Sequence, residues 1–221
     1  MNPTEGLQSG EMHTLAREYA MNFKGLRKQM VRFRPSICPF DDVFQYVPFE
    51  GTGFDIGCGA GFTLFAQAKL RRAKHLVGVD VNKDLAAHTT GILRHCAPGT
   101  SFNILTTDSH AEWPTQTFDL VTMIDVLHHI PVAHQLDFVR AAAARVAPGG
   151  TLIYKDMSAK PTLHGWANRL HDLVLARQWI NYVPIDTIGE TLSAMGFTTT
   201  ARADRRMLWY SHQMLVARLP L

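Results

Sequence analysis

The sequence is constrained most by a glycine-rich turn between two short apolar segments. Residues 52–61 are Thr-Gly-Phe-Asp-Ile-Gly-Cys-Gly-Ala-Gly, and residues 76–81 are Leu-Val-Gly-Val-Asp-Val. Residues 62–69, which follow the turn, favour a helix. A strand, a glycine turn, a helix and a second strand that ends at an acid occur in this order in nucleotide-type α/β binding units. The pattern therefore predicts an α/β fold with a ligand site at the turn.

The spacing of the glycines distinguishes between ligands. Gly57, Gly59 and Gly61 form a G-x-G-x-G, whereas a dinucleotide-binding turn is G-x-G-x-x-G and holds a pyrophosphate at the helix N-terminus. Asp80 ends the second apolar segment and suits a ribose, because both ribose hydroxyls can donate to one carboxylate. An ordinary tight turn in another α/β protein is the alternative, and the acids Asp55 and Asp80 argue against it.

The turn resembles the first motif of the class I S-adenosylmethionine-dependent methyltransferases, an acid followed by G-x-G-x-G. Asp55 precedes the first glycine; it would repel a pyrophosphate but suits a ligand that carries an ammonium and a sulfonium. The resemblance implies S-adenosyl-L-methionine as cofactor, with Asp80 on its ribose and Asp108 on its adenine amino group. Cys58 is expected to pack as a small residue and not to act as a nucleophile. The expected cofactor-binding residues are Asp55, Gly57, Cys58, Gly59, Gly61, Asp80, Val81, Asp108, Ser109 and Asp125.

A second stretch, at 118–130, resembles the fourth motif of the same family. Its apolar run predicts a strand that is buried on both faces, and Asp125-Val-Leu-His-His follows the run. Small-molecule methyltransferases often carry Asp, Asn or Glu followed by Val-Leu-x-His at this place. The stretch contains neither an Asn-Pro-Pro-Tyr motif nor a Pro-Cys pair, which argues against methylation of exocyclic or amide nitrogens and of cytosine C5.

Methyl transfer needs a general base only when the nucleophile arrives protonated. The candidates beyond the strand ends are His128, His129, Lys155, Asp156 and, from the insertion, His164 and His171, and those expected to be catalytic are His129, His128 and Lys155. Imidazole is the natural base near neutral pH, and we expect only one histidine to face the acceptor, because neighbours on a loop usually point apart. His129 is favoured, although either histidine could order the loop or contact the cofactor, and Lys155 could pair with a substrate anion or with Asp156. No metal site is expected, because the histidines lack a ligand spacing such as H-E-x-x-H.

The resemblance implies a Rossmann-like, seven-stranded, mostly parallel sheet with helices on both faces and an antiparallel final strand. We predict an N-terminal helical cap at 1–50 and a methyltransferase core at 51–221, with a helical insertion at 158–184 that could form a lid, core or dimer surface. The expected later elements are a helix at 131–146, a strand at 151–156, a helix at 185–195 and strands at 197–203 and 209–218.

Composition places the chain among ordinary folded proteins. Its 221 residues are 46% hydrophobic and 19% charged, with a net charge of +3, so they can form one α/β domain and give no sign of disorder. The three cysteines include no C-x-x-C pair, which favours reduced thiols. Without a signal peptide or a long apolar span in the sequence, we expect a cytoplasmic protein.

A basic stretch at 24–34 contains no acid and is interleaved with phenylalanine. It is expected to be a solvated helix face, a cap over the active site, or a docking surface for an acidic substrate or carrier protein. Its basic residues are Lys24, Arg27, Lys28, Arg32 and Arg34.

The function expected is transfer of a methyl group to oxygen or carbon of a small aromatic or acyl metabolite, as in methyltransferases of polyketide, pigment and lipid biosynthesis. The acceptor could be free or carrier-bound, no nucleic-acid partner is expected, and a homodimer is left open. The alternatives are an RNA or protein methyltransferase that uses the basic stretch, and a non-catalytic S-adenosylmethionine-binding protein or a Rossmann enzyme of another kind.

Overall fold

A seven-stranded sheet with helices on both faces forms the molecule. The computed structural model describes residues 10–158, 182–208 and 210–221. The strand order is β3-β2-β1-β4-β5-β7-β6; β1 to β5 pair in parallel, and β7 is antiparallel to both of its neighbours. This confirms the predicted fold class. The strands are β1 (Thr52–Ile56), β2 (His75–Asp80), β3 (Ser101–Thr106), β4 (Phe118–Ile124), β5 (Val146–Met157), β6 (Thr198–Met207) and β7 (Tyr210–Arg218).

The helices bury two separate cores against the sheet. One core holds Tyr19 and Phe65, and the other holds Phe54, Trp113 and Phe118. Central strands β1 and β4 are almost fully buried, which explains their continuous apolar sequences. The helices in the described part of the chain are α1 (Glu11–Ala20), α2 (Gly25–Ile37), α3 (Phe40–Phe44), α4 (Phe62–Arg71), α5 (Lys83–Cys96), α6 (Gln135–Ala143) and α7 (Ile185–Ala194).

The order of the strands creates a crevice at the carboxyl ends of β1 and β4. The chain runs outward from β1 through β2 to β3, then returns to the other side of β1 for β4 and β5. Open α/β sheets bind their ligands at such a switch point. The glycine turn follows β1 and Asp125 follows β4, so both motifs found in the sequence lie at this crevice.

Some elements differ from the predictions. The region predicted as an N-terminal helical cap contains α1, α2 and α3, and α2 contains Pro35. The helix expected at 131–146 is shorter, because a 3₁₀ turn (Val132–His134) precedes α6. Strand β5 begins at Val146 and includes Pro148-Gly149-Gly150, which we had expected to precede it; the register of β4 with β5 shifts between Phe118 and Leu120. Such an irregularity accommodates proline and glycine inside a strand.

The N-terminal helices pack directly against the glycine turn. The Tyr19 ring stacks on Phe65 with a centroid distance of 4.5 Å, and its hydroxyl donates to the carbonyl of Ala60 at 2.8 Å. The division into a cap at 1–50 and a core at 51–221 stays a prediction. Most of the predicted insertion at 158–184 lies outside the described residues.

No helix in the described ranges combines the length and apolar character that a membrane crossing requires.

Candidate active site

The glycine turn is held by hydrogen bonds to β2. The amides of Gly57 and Cys58 both donate to the carbonyl of Val79, at 2.8 and 3.0 Å. Gly57 has a φ of +73°, and a Cβ there would collide with the side chain of Val126. Gly61 has a φ of +77°, and its Cβ would press on Thr89. A side chain at either position would therefore strain the turn and displace its neighbours.

Asp80 braces the turn as well as facing the crevice. Its Oδ2 accepts from the amide of Gly59 at 2.8 Å, and its Oδ1 accepts from the amide of Asn82 at 2.9 Å. Asn82 in turn caps α5, accepting from the amide of Leu85 at 3.0 Å, as an asparagine directly before a helix commonly does. Each carboxylate oxygen has two lone pairs, so Asp80 keeps acceptor capacity for a ligand.

Two cavities meet at Gly57. The larger, of about 480 Å³, contains Asp80, Val81 and Asp108 in its lining. The smaller, of about 340 Å³, lies between the glycine turn and α2, and Asp55 and Arg34 line it. An elongated ligand that passes Gly57 can therefore occupy both.

The smaller cavity is lined by a carboxyl group, by a cation and by the hydrogen-bond donors at the start of α4. Asp55 is 2% exposed and accepts from the Thr122 hydroxyl at 2.6 Å; burial raises its pKa to about 7. The first amides of α4 have no side-chain cap, and Phe62 and Thr63 at this end line the cavity together with the Arg34 guanidinium. Helix N-termini attract anions. The cavity therefore suits a group that is cationic at one end and anionic at the other, as an amino acid is.

A cluster of charges lies where β4 ends. Asp125, with a φ of +55°, pairs with the Lys155 ammonium at 2.5 Å and the Arg34 guanidinium at 3.1 Å. Burial alone would raise the pKa of Asp125, but these two cations hold that pKa well below its usual range. Lys155 is 0% exposed. Of the two partners left open for Lys155, Asp156 is not the one it contacts, and the burial of Lys155 does not favour contact with a substrate anion.

The two histidines occupy one 3₁₀ turn (Leu127–His129), with ring centroids 4.0 Å apart. Our expectation that they point apart is wrong, because the tight turn brings the rings together. His128 is buried; its Nδ1 lies 2.5 Å from Oδ1 of Asp156, and its amide donates to the other oxygen at 3.2 Å. His129 is exposed and lines the larger cavity.

A family model of the methyltransferase domain matches residues 32–202 of the chain. The chain belongs to this family. Together with the fold, this confirms the resemblance to class I S-adenosylmethionine-dependent methyltransferases.

Individual relatives are more distant. The chain is 29% identical over 135 residues to a ubiquinone biosynthesis O-methyltransferase from Aliivibrio fischeri (strain MJ11); the match covers 60% of this chain and 53% of the relative. The chain thus spans about half the length of the curated relatives it matches.

Solved structures share the fold. A magnesium protoporphyrin IX methyltransferase from Synechocystis PCC 6803, with bound SAH, has 17% identity and a TM-score of 0.67 over 93% of this chain and 94% of that one. A [4+2]-cyclase, SpnF, has 15% identity and a TM-score of 0.65 over 97% and 96%. These likenesses establish the architecture alone, since the second protein is named for a different reaction.

The other residues that sequence predicted to bind the cofactor of this methyltransferase lie apart from one another. Ser109 caps a 3₁₀ turn, its hydroxyl accepting from the amide of Ala111 at 3.3 Å. Cys58 is buried, with its sulfur near Gly78. Among the described residues no group of three or more His, Cys, Asp or Glu side chains could hold a metal ion.

Sequence reasoning missed two residues near the crevice. Arg34 was known only as part of the basic stretch, and nothing local indicated that it reaches Asp125. His212 in β7 is 2% exposed, and neither ring nitrogen has a hydrogen-bond partner within the described residues. Burial and then the Lys155 ammonium lower the pKa of His212 to about 3. Its imidazole therefore stays neutral beside the charge cluster.

Proposed function

We propose that this protein transfers a methyl group from S-adenosyl-L-methionine to oxygen or carbon of a small aromatic or acyl metabolite. The observation that carries the proposal is the pair of cavities joined at Gly57. The larger cavity has an acid, Asp80, that suits a ribose. The smaller cavity has an acid, Asp55, and a cation, Arg34, which suit the ammonium and carboxylate of an amino acid. S-adenosylmethionine carries both groups in one molecule.

The cofactor residues divide between the cavities. We place the adenosine in the larger one, with its ribose on Asp80, its adenine amino group on Asp108 and His129 at its edge. The methionine occupies the smaller one, with its ammonium near Asp55 and its carboxylate towards Arg34 and the N-terminus of α4. This gives each charged group of the cofactor a partner of opposite sign or a hydrogen-bond donor.

Methyl transfer depends more on alignment of the methyl donor and the acceptor than on acid or base catalysis. The bound cofactor would supply an activated methyl group, and the contribution of the protein would be to hold the two reactants in line, which can contribute about 7–11 kcal/mol. For an acceptor hydroxyl the proton also needs a destination, and we propose His128, whose ring lies beside that of His129 at the larger cavity, with centroids 4.0 Å apart. Asp156 at Nδ1 fixes the tautomer whose Nε2 can accept a proton. His129, the base favoured on sequence, lies on the adenosine side and better suits cofactor contact.

Titration calorimetry with S-adenosylmethionine, S-adenosylhomocysteine and NAD, run in parallel, tests the proposal. We expect both sulfur compounds to bind and NAD to give no signal. Radiolabelled S-adenosylmethionine, offered with phenolic and acyl metabolites, then identifies the acceptor. Binding of NAD in place of both sulfur compounds would overturn the assignment. Cofactor binding without transfer to any acceptor of these classes would favour the non-catalytic alternative.

Asp80→Ala is expected to weaken binding of S-adenosylhomocysteine by about 1.5–3 kcal/mol, because a charged hydrogen-bond partner of the ribose is lost. Calorimetry gives the dissociation constant directly. Asp84→Ala is the matched control: it removes an exposed carboxylate from the first turn of the helix that follows. Equal affinity of Asp80→Ala and the parent would place the ribose elsewhere. Because Asp80 also holds the amide of Gly59, circular dichroism should accompany the measurement.

Affinity for S-adenosylhomocysteine is expected to fall as the pH drops below the pKa of Asp55, which burial raises to about 7 in the free protein. The bound ammonium favours the carboxylate, so at low pH binding must first displace a proton, and affinity falls by up to about tenfold per pH unit. Calorimetry from pH 8 down to about pH 5 measures this. Asp55→Asn should bind with a flatter pH profile; an identical slope in parent and variant would assign the titration to another group.

The cellular location and the binding partners of the protein are proposals as well. The three cysteines, Cys38, Cys58 and Cys96, form no disulfide, which supports the cytoplasm. A carrier-bound acceptor and a homodimer rest on the sequence alone. An RNA substrate would require the basic stretch to bind phosphates, and methyl transfer would then depend steeply on salt.

A further inference from the structure

Helix α2 exposes a stripe of large apolar side chains. Leu26 is 76% exposed, Met30 64% and Phe33 52%, and Met30 also lines the smaller cofactor cavity. Their spacing, at i, i+4 and i+7, places them on one side of a helix. Of the whole helix only Val31 and Pro35 are buried, so α2 rests on the protein by a narrow edge and turns most of its surface outward. Met21, in the connection before α2, is also 70% exposed.

The charged side chains of α2 and of its N-cap residue Lys24 are all basic. Lys24, Arg27, Lys28 and Arg32 form no ion pair with any residue in the described ranges, and no acid lies in the stretch. On a solvated protein surface, basic side chains usually alternate with acids. This surface instead combines unneutralised positive charge with protruding apolar groups.

A shallow basic depression adjoins the stripe. It measures about 570 Å³ and is lined by Asn22, Phe23, Lys24, Arg27 and His88. It lies beside the start of α2, near Leu26, and is separate from the two cofactor cavities except for the shared Arg27. Its lining offers cations and an amide to a phosphate-sized anion, next to the apolar side chains.

We propose that α2 is a docking element for the surface of an anionic phospholipid bilayer. Basic helices with exposed Leu, Met and Phe lie in the headgroup layer, with their apolar side chains among the acyl chains and their cations on the phosphates. A bilayer accepts a convex row of protruding side chains, whereas a protein partner would need a matching groove. The charge of the helix complements anionic lipid, and the depression at Lys24 receives a headgroup.

Vesicle flotation of the full chain, without cofactor or acceptor, tests the proposal. We expect binding to vesicles of equal parts phosphatidylcholine and phosphatidylglycerol, little binding to phosphatidylcholine alone, and weakening with added salt. The double variant Lys24→Gln with Arg32→Gln should lose about fivefold in partition coefficient for each residue neutralised. Leu26→Ser with Phe33→Ser should lose about tenfold or more, because two apolar side chains no longer enter the bilayer.

Matched variants keep the test independent of folding and of the proposed activity. Lys74→Gln with Arg206→Gln removes the same charge from exposed positions outside α2, and Val132, which is 60% exposed, can be changed to Ser as the apolar control. Both should bind vesicles like the parent. Binding of S-adenosylhomocysteine should be unchanged in the Lys24 and Arg32 double variant, since neither residue lines the cofactor cavities. Absent vesicle binding, equal binding to neutral vesicles, or equal losses in the controls would overturn the proposal, as would binding to RNA without binding to lipid.

Discussion

Asp125→Ala is expected to lower the free energy of unfolding by about 3–5 kcal/mol, as removal of one partner from a buried ion pair does. Lys155 is 0% exposed and lies 2.5 Å from the Asp125 carboxylate, so the variant would leave its ammonium buried without a counter-charge. Arg34, which is 37% exposed, can turn to water, but Lys155 cannot. Urea unfolding followed by circular dichroism measures the loss.

The double variant Asp125→Ala with Lys155→Met separates loss of the ion pair from loss of packing. Replacement of a buried pair by apolar residues is often neutral or stabilising, so the double variant should recover most of the stability that the single one loses. Arg34→Ala should cost much less, since its charge is partly solvated. A single variant as stable as the parent would show that the ammonium loses its proton or reaches water at little cost.

The parts of the local structure around the site that sequence predicted correctly are those that depend on neighbouring residues. The glycine turn needs positive φ at Gly57 and Gly61. Its position depends only on β1 and β2, which are consecutive in the sequence. Asn82 caps the helix that starts at the next residue. Such features depend on a few consecutive residues, so their sequence pattern carries nearly all the information.

The charge cluster could not be predicted in the same way. Arg34 and Asp125 are 91 positions apart and Lys155 and Asp125 are 30 apart, so their contact depends on how α2 and β5 pack beside β4. Sequence placed Lys155 next to Asp156, but neighbours in a strand point to opposite faces. In β5 this alternation sends Lys155 to Asp125 and Asp156 to His128.

Alternation along β5 also gives the two histidines different surroundings. The Asp156 carboxylate forms hydrogen bonds with both the amide and the ring Nδ1 of His128. His129 instead lies at the edge of the larger cavity. The 3₁₀ turn that sets this arrangement follows Asp125 in its left-handed conformation. The sequence around the two histidines does not distinguish them. They differ because the Asp156 carboxylate, from the neighbouring strand, contacts only His128 among the two in the hydrogen bonds described above.

His128→Ala is therefore expected to lower kcat by about 10²-fold or more with a hydroxyl acceptor, the usual contribution of a positioned base. Affinity for S-adenosylhomocysteine should stay within a factor of two or so of the parent, because His128 does not line the adenosine cavity. Asp156 keeps an amide donor from Met157 at 2.8 Å, so its carboxylate remains hydrogen-bonded in the variant. Steady-state rates with the acceptor found by the radiolabel screen measure the effect.

The dependence of this loss on pH distinguishes a base from a residue that only orders the turn. A phenolic acceptor ionises by itself near pH 10, so the deficit of His128→Ala should shrink as the pH approaches about 10 if the missing function is proton removal. A purely structural loss would be the same at every pH. Asp156→Asn should give a smaller deficit with the same trend, because it alters the tautomer and orientation of the imidazole and leaves the ring in place. His129→Ala, by contrast, should weaken cofactor binding at every pH; if it instead abolished turnover with cofactor affinity intact, the base would be His129 and the buried pair a support for the turn.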